Sequence, residues 1–258
     1  MKKIKRIINP LCSILRTSDS NSQLTSEGLY GEDVNCLEKD KNKIFIRLLT
    51  DNYTGWISQN YIGELPSPTH ITLSPRTFLF SKPNIKSNIV NYLSIGSRVT
   101  ANEYSKDWSK VIFFHKNQLI NTFVLKKNII LLNNKVNDWV STAESLVNVP
   151  YKWGGRSSIG MDCSALIQLS LQTQRFNAPR DSILQKELCN SDNNSLENLK
   201  RGSIIFWKGH VGVMVDKKNF LHANTFHMKT TIEPLIDVIK RAKTNNSDIQ
   251  KIINITLK

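Results

Sequence analysis

"YKWGGRSSIGMDCSALIQLSLQTQ", Tyr151 to Gln174, sets a cysteine directly behind a glycine-rich loop and an aspartate, and the chain then runs apolar for most of three helical turns. Aspartate is a natural N-cap, so Asp162 predicts a helix whose first turn holds Cys163. A thiolate there would face the positive end of the helix dipole. With a histidine nearby, a thiol of ordinary pKa about 8.5 can become a thiolate at neutral pH. A lone cysteine also serves as a small buried hydrophobe, so the surrounding chain has to decide between the two. The helix opening at Cys163 is apolar enough to be buried.

The histidines tip that balance. The chain has five, and two fall on adjacent predicted strands in "RGSIIFWKGHVGVMVDKKNFLHANTFHMKTTIEPL", with turns at Lys208-Gly209 and Lys217 to Asn219. His210 shares a strand face with Gly212 and Met214, while Val211, Val213 and Val215 face the other way. His222 follows the turn that brings the chain back antiparallel. Cross-strand neighbours lie about 5 Å apart, so the rings can share a hydrogen bond. One could act as general base toward Cys163 and the other could fix its tautomer and orientation. Upstream, Val136, Val140, Ala143 and Val147 recur at helical spacing until Pro150, which forces the preceding residue out of the α region. Helices first and strands after make residues 134–258 an α+β domain.

The first half reads as a repeat of small barrels. "YGEDVNCLEKDKNKIFIRLLTDNYTGWIS" lies against "SIGSRVTANEYSKDWSKVIFFHKNQLINTFV", with Gly31 to Val34 opposite Gly96 to Val99. Short β-rich runs separated by Asn, Asp, Lys and Gly turns predict barrels, not helices. The proline-rich "ELPSPTHITLSP" marks the join, giving barrels over 1–66 and 67–133. The first copy resembles the bacterial SH3-like domain through "DNYTGWIS"; the second lacks the Gly-Trp pair.

At 258 residues and 40% apolar content, the chain has material for more than one core. The net charge of +14 is spread unevenly, with 9 basic and 8 acidic residues in 1–66, 9 and 2 in 67–133, and 17 and 11 in 134–258. It forms no dense basic block and no aromatic-interleaved stripe, so a nucleic-acid partner is not expected. An anionic polymer or peptide substrate would gain from the same field. Cys12, Cys36, Cys163 and Cys189 are spaced neither as a disulfide framework nor as a zinc site, which predicts reduced thiols. The opening "MKKIKRIINPLCSILRTSDS" is basic, but Asn9, Pro10 and Arg16 break its apolar stretch. No run approaches a membrane span. A cytoplasmic protein without a membrane partner is the expectation.

The series "YKWGGRSSIGMDCSALIQ", "PRDS", "RGSIIFWKGHVGVMVD", "FLHAN" and "IEPL" resembles, in order, the NlpC-type cysteine peptidase family over roughly residues 134–235. With the barrels in front, the chain is similar to the subgroup in which SH3-like domains accompany a papain-like catalytic domain. That resemblance implies hydrolysis of the bond between γ-D-glutamate and the following diamino acid in murein stem peptides, with no metal or organic cofactor. It implies Cys163 as nucleophile, His210 as general base and His222 as the orienting third member. It also implies a pocket for a free L-alanine amino terminus, drawn from Asp162, Ser164, Tyr151, Trp153 and Ser182, with Tyr53 and Glu32 from the first barrel. The expected role is recycling of short wall peptides. An exported hydrolase of intact wall and an inert wall-peptide binder are the competing readings. Ala165 stands where the family often has glycine, and Ser203 replaces a common aspartate.

Overall fold

The computed structural model describes residues 4–19, 21–189 and 196–255. They divide into two compact units, residues 1–135 and 136–258, each taken by itself below.

The first unit holds two seven-stranded sheets of identical connectivity. Strands Lys5–Ile7, Leu11–Leu15, Leu24–Leu29, Asp33–Asp40, Lys43–Leu48, Thr54–Ser58 and Ile62–Gly63 build the first sheet. Its spatial order is third, second, sixth, fifth, fourth, first, seventh. The second sheet, from His70–Thr72 to Ile129–Leu131, repeats that order strand for strand. The repeat therefore extends to topology, although the second copy lacks the Gly-Trp pair. Alternation along the strands supplies each core, with Ile7, Ile14, Val34, Ile46, Leu48 and Ile57 in the first and Leu79, Leu93, Val99, Val111 and Val124 in the second.

Tyr30 joins the two barrels. Its ring is 1% exposed inside the second barrel's core, 5.1 Å from Phe113, and its hydroxyl accepts the Phe114 N–H at 3.0 Å. Gly31 follows at φ +77°, where a Cβ would stand 1.9 Å from the Arg98 carbonyl oxygen. Only glycine fits so close a backbone approach in a left-handed conformation.

The second unit is α+β. Helix α1 covers Trp139–Glu144, α2 Cys163–Gln172, α3 Ser182–Gln185 and α4 Leu235–Thr244. A five-stranded antiparallel sheet runs in the order Lys229–Pro234, Asn219–Asn224, His210–Met214, Ser203–Trp207, Lys251–Asn254. Helix α1 is shorter than the sequence spacing predicts. Asp138, not Asn134, starts it by accepting the Val140 N–H at 2.9 Å. Asn148 takes a left-handed φ of 69° before Pro150. The buried face is accordingly Trp139, Val140, Ala143 and Leu146, and Val147 is only partly covered. Helix α2 is buried at every position, as its apolar composition demands, and packs on the His210–Met214 strand. That packing brings the cysteine helix and the histidine strands together. Among the described residues no helix is long and apolar enough to cross a membrane.

Candidate active site

Asp162 caps α2 from an extended backbone, accepting the Ala165 N–H at 2.9 Å. Cys163 is thereby the first residue of the helix, 8% exposed. Its Sγ receives the backbone N–H groups of Val211, next to His210, and of Ser164. The thiol therefore faces the strand that carries the predicted base.

The two histidines meet as the strand pairing requires. Val213 pairs with Leu221 and Met214 with Phe220. Gly209, at φ +72°, turns the chain into the His210 strand. Asp216 accepts the N–H groups of Lys218 and Asn219 and closes the next turn. His210 Nε2 and His222 Nδ1 are 2.8 Å apart, and His222 Nε2 lies 2.8 Å from Glu233 Oε1. Glu233 also binds Arg241 at 2.5 Å and His227 at 3.3 Å.

This chain assigns the protons. Burial tends to raise the Glu233 pKa, but the hydrogen bonds from His222 and Arg241 outweigh it and hold the carboxyl at about 2. An ionised carboxylate only accepts, so His222 Nε2 carries a proton and its Nδ1 is bare. His210 then donates through Nε2, which leaves His210 Nδ1 bare. That nitrogen is the one able to take the Cys163 proton. Sequence reasoning missed Glu233 as a site residue. Its signal was a carboxylate opposite Phe220 on the neighbouring strand, two residues from His222 and hence on the same sheet face.

The electrostatics correct one expectation. Burial pushes the Cys163 thiol up to about 12, and the Asp162 charge adds to the rise, against the lowering by the Val211 and Ser164 amides. Burial likewise pushes His210 down to about 3, with further lowering by His222 and Arg241. Desolvation therefore outweighs the amide hydrogen bonds at the sulfur and the nearby Arg180. The resting pair is a neutral thiol and a neutral imidazole, not a preformed thiolate. Such a pair reacts when the proton passes to His210 as the sulfur attacks.

The expected substrate contacts divide. Tyr151 lies near enough to Cys163 that its hydroxyl is pushed up to about 12, by burial first and then by the charges at Cys163 and Asp162. Trp153 is 63% exposed and, with Tyr151 and His210, lines a cavity of about 680 Å³. Ser182 opens α3 and is half-buried. Ser164 donates to Asp162 at 3.1 Å and accepts from Arg180 at 2.8 Å.

Asp162 does not serve as an open anionic partner for a substrate amine. Its oxygens accept from Ala165 N, Ser164 Oγ, Gly154 N at 3.0 Å, and Arg180 Nη1 and Nη2 at 2.9 and 2.6 Å. Five donors fill a carboxylate with about four lone-pair sites. Arg180, 2% exposed, neutralises the charge. The role left to Asp162 is to cap α2 and fix the Gly154 loop. Glu32 also has a structural partner. Its side chain is fully buried, and its carboxylate accepts the Leu29 N–H at 2.8 Å. Tyr53, half-buried, packs against the first barrel's core and donates weakly to Thr25 O at 3.4 Å.

The chain is similar to known proteins in both its sequence and its fold. Residues 148–245 match the NlpC/P60 family, and residues 14–62 match the bacterial dipeptidyl-peptidase Sh3 domain. A γ-D-glutamyl-L-lysine dipeptidyl-peptidase of Bacillus cereus is 23% identical, over 83% of this chain and 71% of that protein. Dipeptidyl-peptidase 6 of Lysinibacillus sphaericus is 22% identical, over 84% of this chain and 86% of the relative. The crystal structure of a NlpC/P60 family protein from Bacillus cereus superposes with a TM-score of 0.75 at 18% identity, covering 90% of this chain and 94% of that one.

Proposed function

From a chain that carries an NlpC/P60 peptidase domain behind a bacterial SH3 domain, we propose a cysteine endopeptidase that hydrolyses the bond between γ-D-glutamate and a diamino acid in short murein stem peptides with a free N-terminal L-alanine. The observation that carries the reading is the Glu233, His222, His210 chain, which ends on the strand whose Val211 N–H reaches the Cys163 thiol. The relatives named dipeptidyl-peptidase support cleavage after the second residue.

In this mechanism Cys163 Sγ attacks the γ-carbonyl carbon while its proton passes to His210 Nδ1. The resulting imidazolium is stabilised through His222 by the Glu233 carboxylate. The oxyanion of the tetrahedral intermediate lies at the positive end of α2, where the Cys163 N–H is a donor. His210 then gives its proton to the leaving amine as the C–N bond breaks. A thioester of the dipeptide remains, and water activated by His210 hydrolyses it and restores the thiol.

A place in cytoplasmic peptide recycling goes with this proposal, and cell fractionation tests it. Activity is tested by mass spectrometry of L-Ala-γ-D-Glu-meso-diaminopimelate, its lysine analogue and an N-acetylated copy. The reading expects release of the dipeptide from unblocked peptides only, and none with Cys163→Ala. Failure to cleave either unblocked peptide overturns it.

A further inference from the structure

We infer that Arg241 receives a carboxylate of the diamino acid on the leaving side of the scissile bond. The inference rests on the peptidase reading above and adds a specificity residue to it. The leaving amine must take its proton from His210, so the leaving residue lies on the His210 side of Cys163. That side opens on the 680 Å³ cavity, which His210 itself lines. Trp153 and Phe226, 63% and 66% exposed, give it aromatic faces, and Asn224 and Asn245 give it amides.

Its charge is one-sided. Among the described lining residues Arg241 is the sole lysine or arginine, and there is no aspartate or glutamate. The guanidinium is fixed before any ligand arrives. It lies 4.2 Å over the Phe226 ring, and Nη2 is bound to Glu233 Oε1 at 2.5 Å. Its Nε and Nη1 have no hydrogen-bond partner among the described residues. A planar fork held on one edge and unpaired elsewhere is suited to a carboxylate. Glu233 lies on the far edge of the guanidinium and does not line the cavity, so a group entering the cavity meets the cation first.

Two carboxylates could occupy it. One is the α-carboxylate of a peptide that ends at the diamino acid; the other is the second carboxylate of a diamino diacid such as diaminopimelate. Both fit this cavity chemically, and both are lost when the group is amidated.

The test measures kcat/KM on three peptides that share L-Ala-γ-D-Glu and end in meso-diaminopimelate, L-lysine or L-lysine amide. Wild type, Arg241→Gln and Arg241→Lys are compared. If the far carboxylate binds, diaminopimelate exceeds lysine by about 10-fold; if the α-carboxylate binds, lysine exceeds its amide by about 10-fold. Either ratio falls toward one in Arg241→Gln and is partly kept in Arg241→Lys. If Arg241 only holds Glu233, the Gln variant slows all three peptides alike and keeps the wild-type ratios, and the inference fails. Equal wild-type rates on the three peptides overturn it while leaving the peptidase reading in place. Cleavage of none overturns the peptidase reading and the inference with it.

Discussion

His222 Nε2 stands 2.8 Å from Glu233 Oε1, while the opposite nitrogen of the same ring faces His210 at 2.8 Å. The carboxylate decides which nitrogen of each ring is bare. Glu233→Gln removes the charge that stabilises the imidazolium. We expect it to lower kcat about 100-fold with little change in KM. Glu233→Asp should restore part of the loss. An unchanged kcat in the Gln variant would mean that His222 is oriented by its surroundings alone.

A neutral resting thiol has a kinetic signature. With Cys163 pushed up to about 12 and His210 down to about 3 by burial, iodoacetamide should alkylate Cys163 slowly at pH 7 and faster as the pH rises through 9 and 10. The acid limb of kcat/KM should fall below the usual imidazole value of about 6.5, because His210 stays unprotonated there. Fast alkylation at pH 6 would instead reveal a preformed thiolate.

The same groups couple stability to pH. An unfolded imidazole takes its proton near pH 6.5, and buried His210 does so only near 3. The unfolded chain therefore binds the proton first on acidification. The contribution of the neutral ring is complete above pH about 6.5 and is lost progressively toward 3. Glu233, at about 2 when folded, adds a loss between about pH 4.3 and 2. Thermal melting should give a lower Tm at pH 4.5 than at 7.5, with a flatter dependence in His210→Gln. Identical pH dependence in the two proteins would remove His210 as the cause.

Arg180 and Asp162 form a buried, bidentate pair at 2.9 and 2.6 Å. Arg180→Met leaves the carboxylate without its countercharge and should cost about 3–5 kcal/mol in urea unfolding. Adding Asp162→Asn to the same chain should recover part of that loss, since the uncompensated charge disappears. A double variant less stable than the single one would contradict this account.

In the first unit, Gly31→Ala combines a left-handed φ with a Cβ 1.9 Å from Arg98 O. It should destabilise that unit by more than the roughly 1 kcal/mol of an ordinary unfavourable backbone substitution. Tyr30→Phe loses only the hydrogen bond from the Phe114 N–H, and about 1 kcal/mol is expected. Denaturant midpoints read both. A Gly31→Ala protein as stable as wild type would show that the barrels separate there at little cost.

The place of Cys163 in the first turn of α2, the meeting of His210 with His222, the barrel repeat and the α+β character of the last third were all legible in the chain. They rest on local rules: a capping aspartate before an apolar run, alternation along strands, and glycine at turns. Tertiary structure alone decided what depends on charges brought together from distant positions. Arg180, eighteen residues after Asp162, occupies the carboxylate that the motif offers to a substrate. Glu233 stands in "IEPL" on the edge strand Lys229–Pro234 and Arg241 on α4 behind it, but their link through His222 to His210 exists only once the strands pair. Burial, which reverses the expected ionisation of Cys163, is a property of the packed protein, because desolvation depends on everything that surrounds the sulfur and not on its neighbours in sequence.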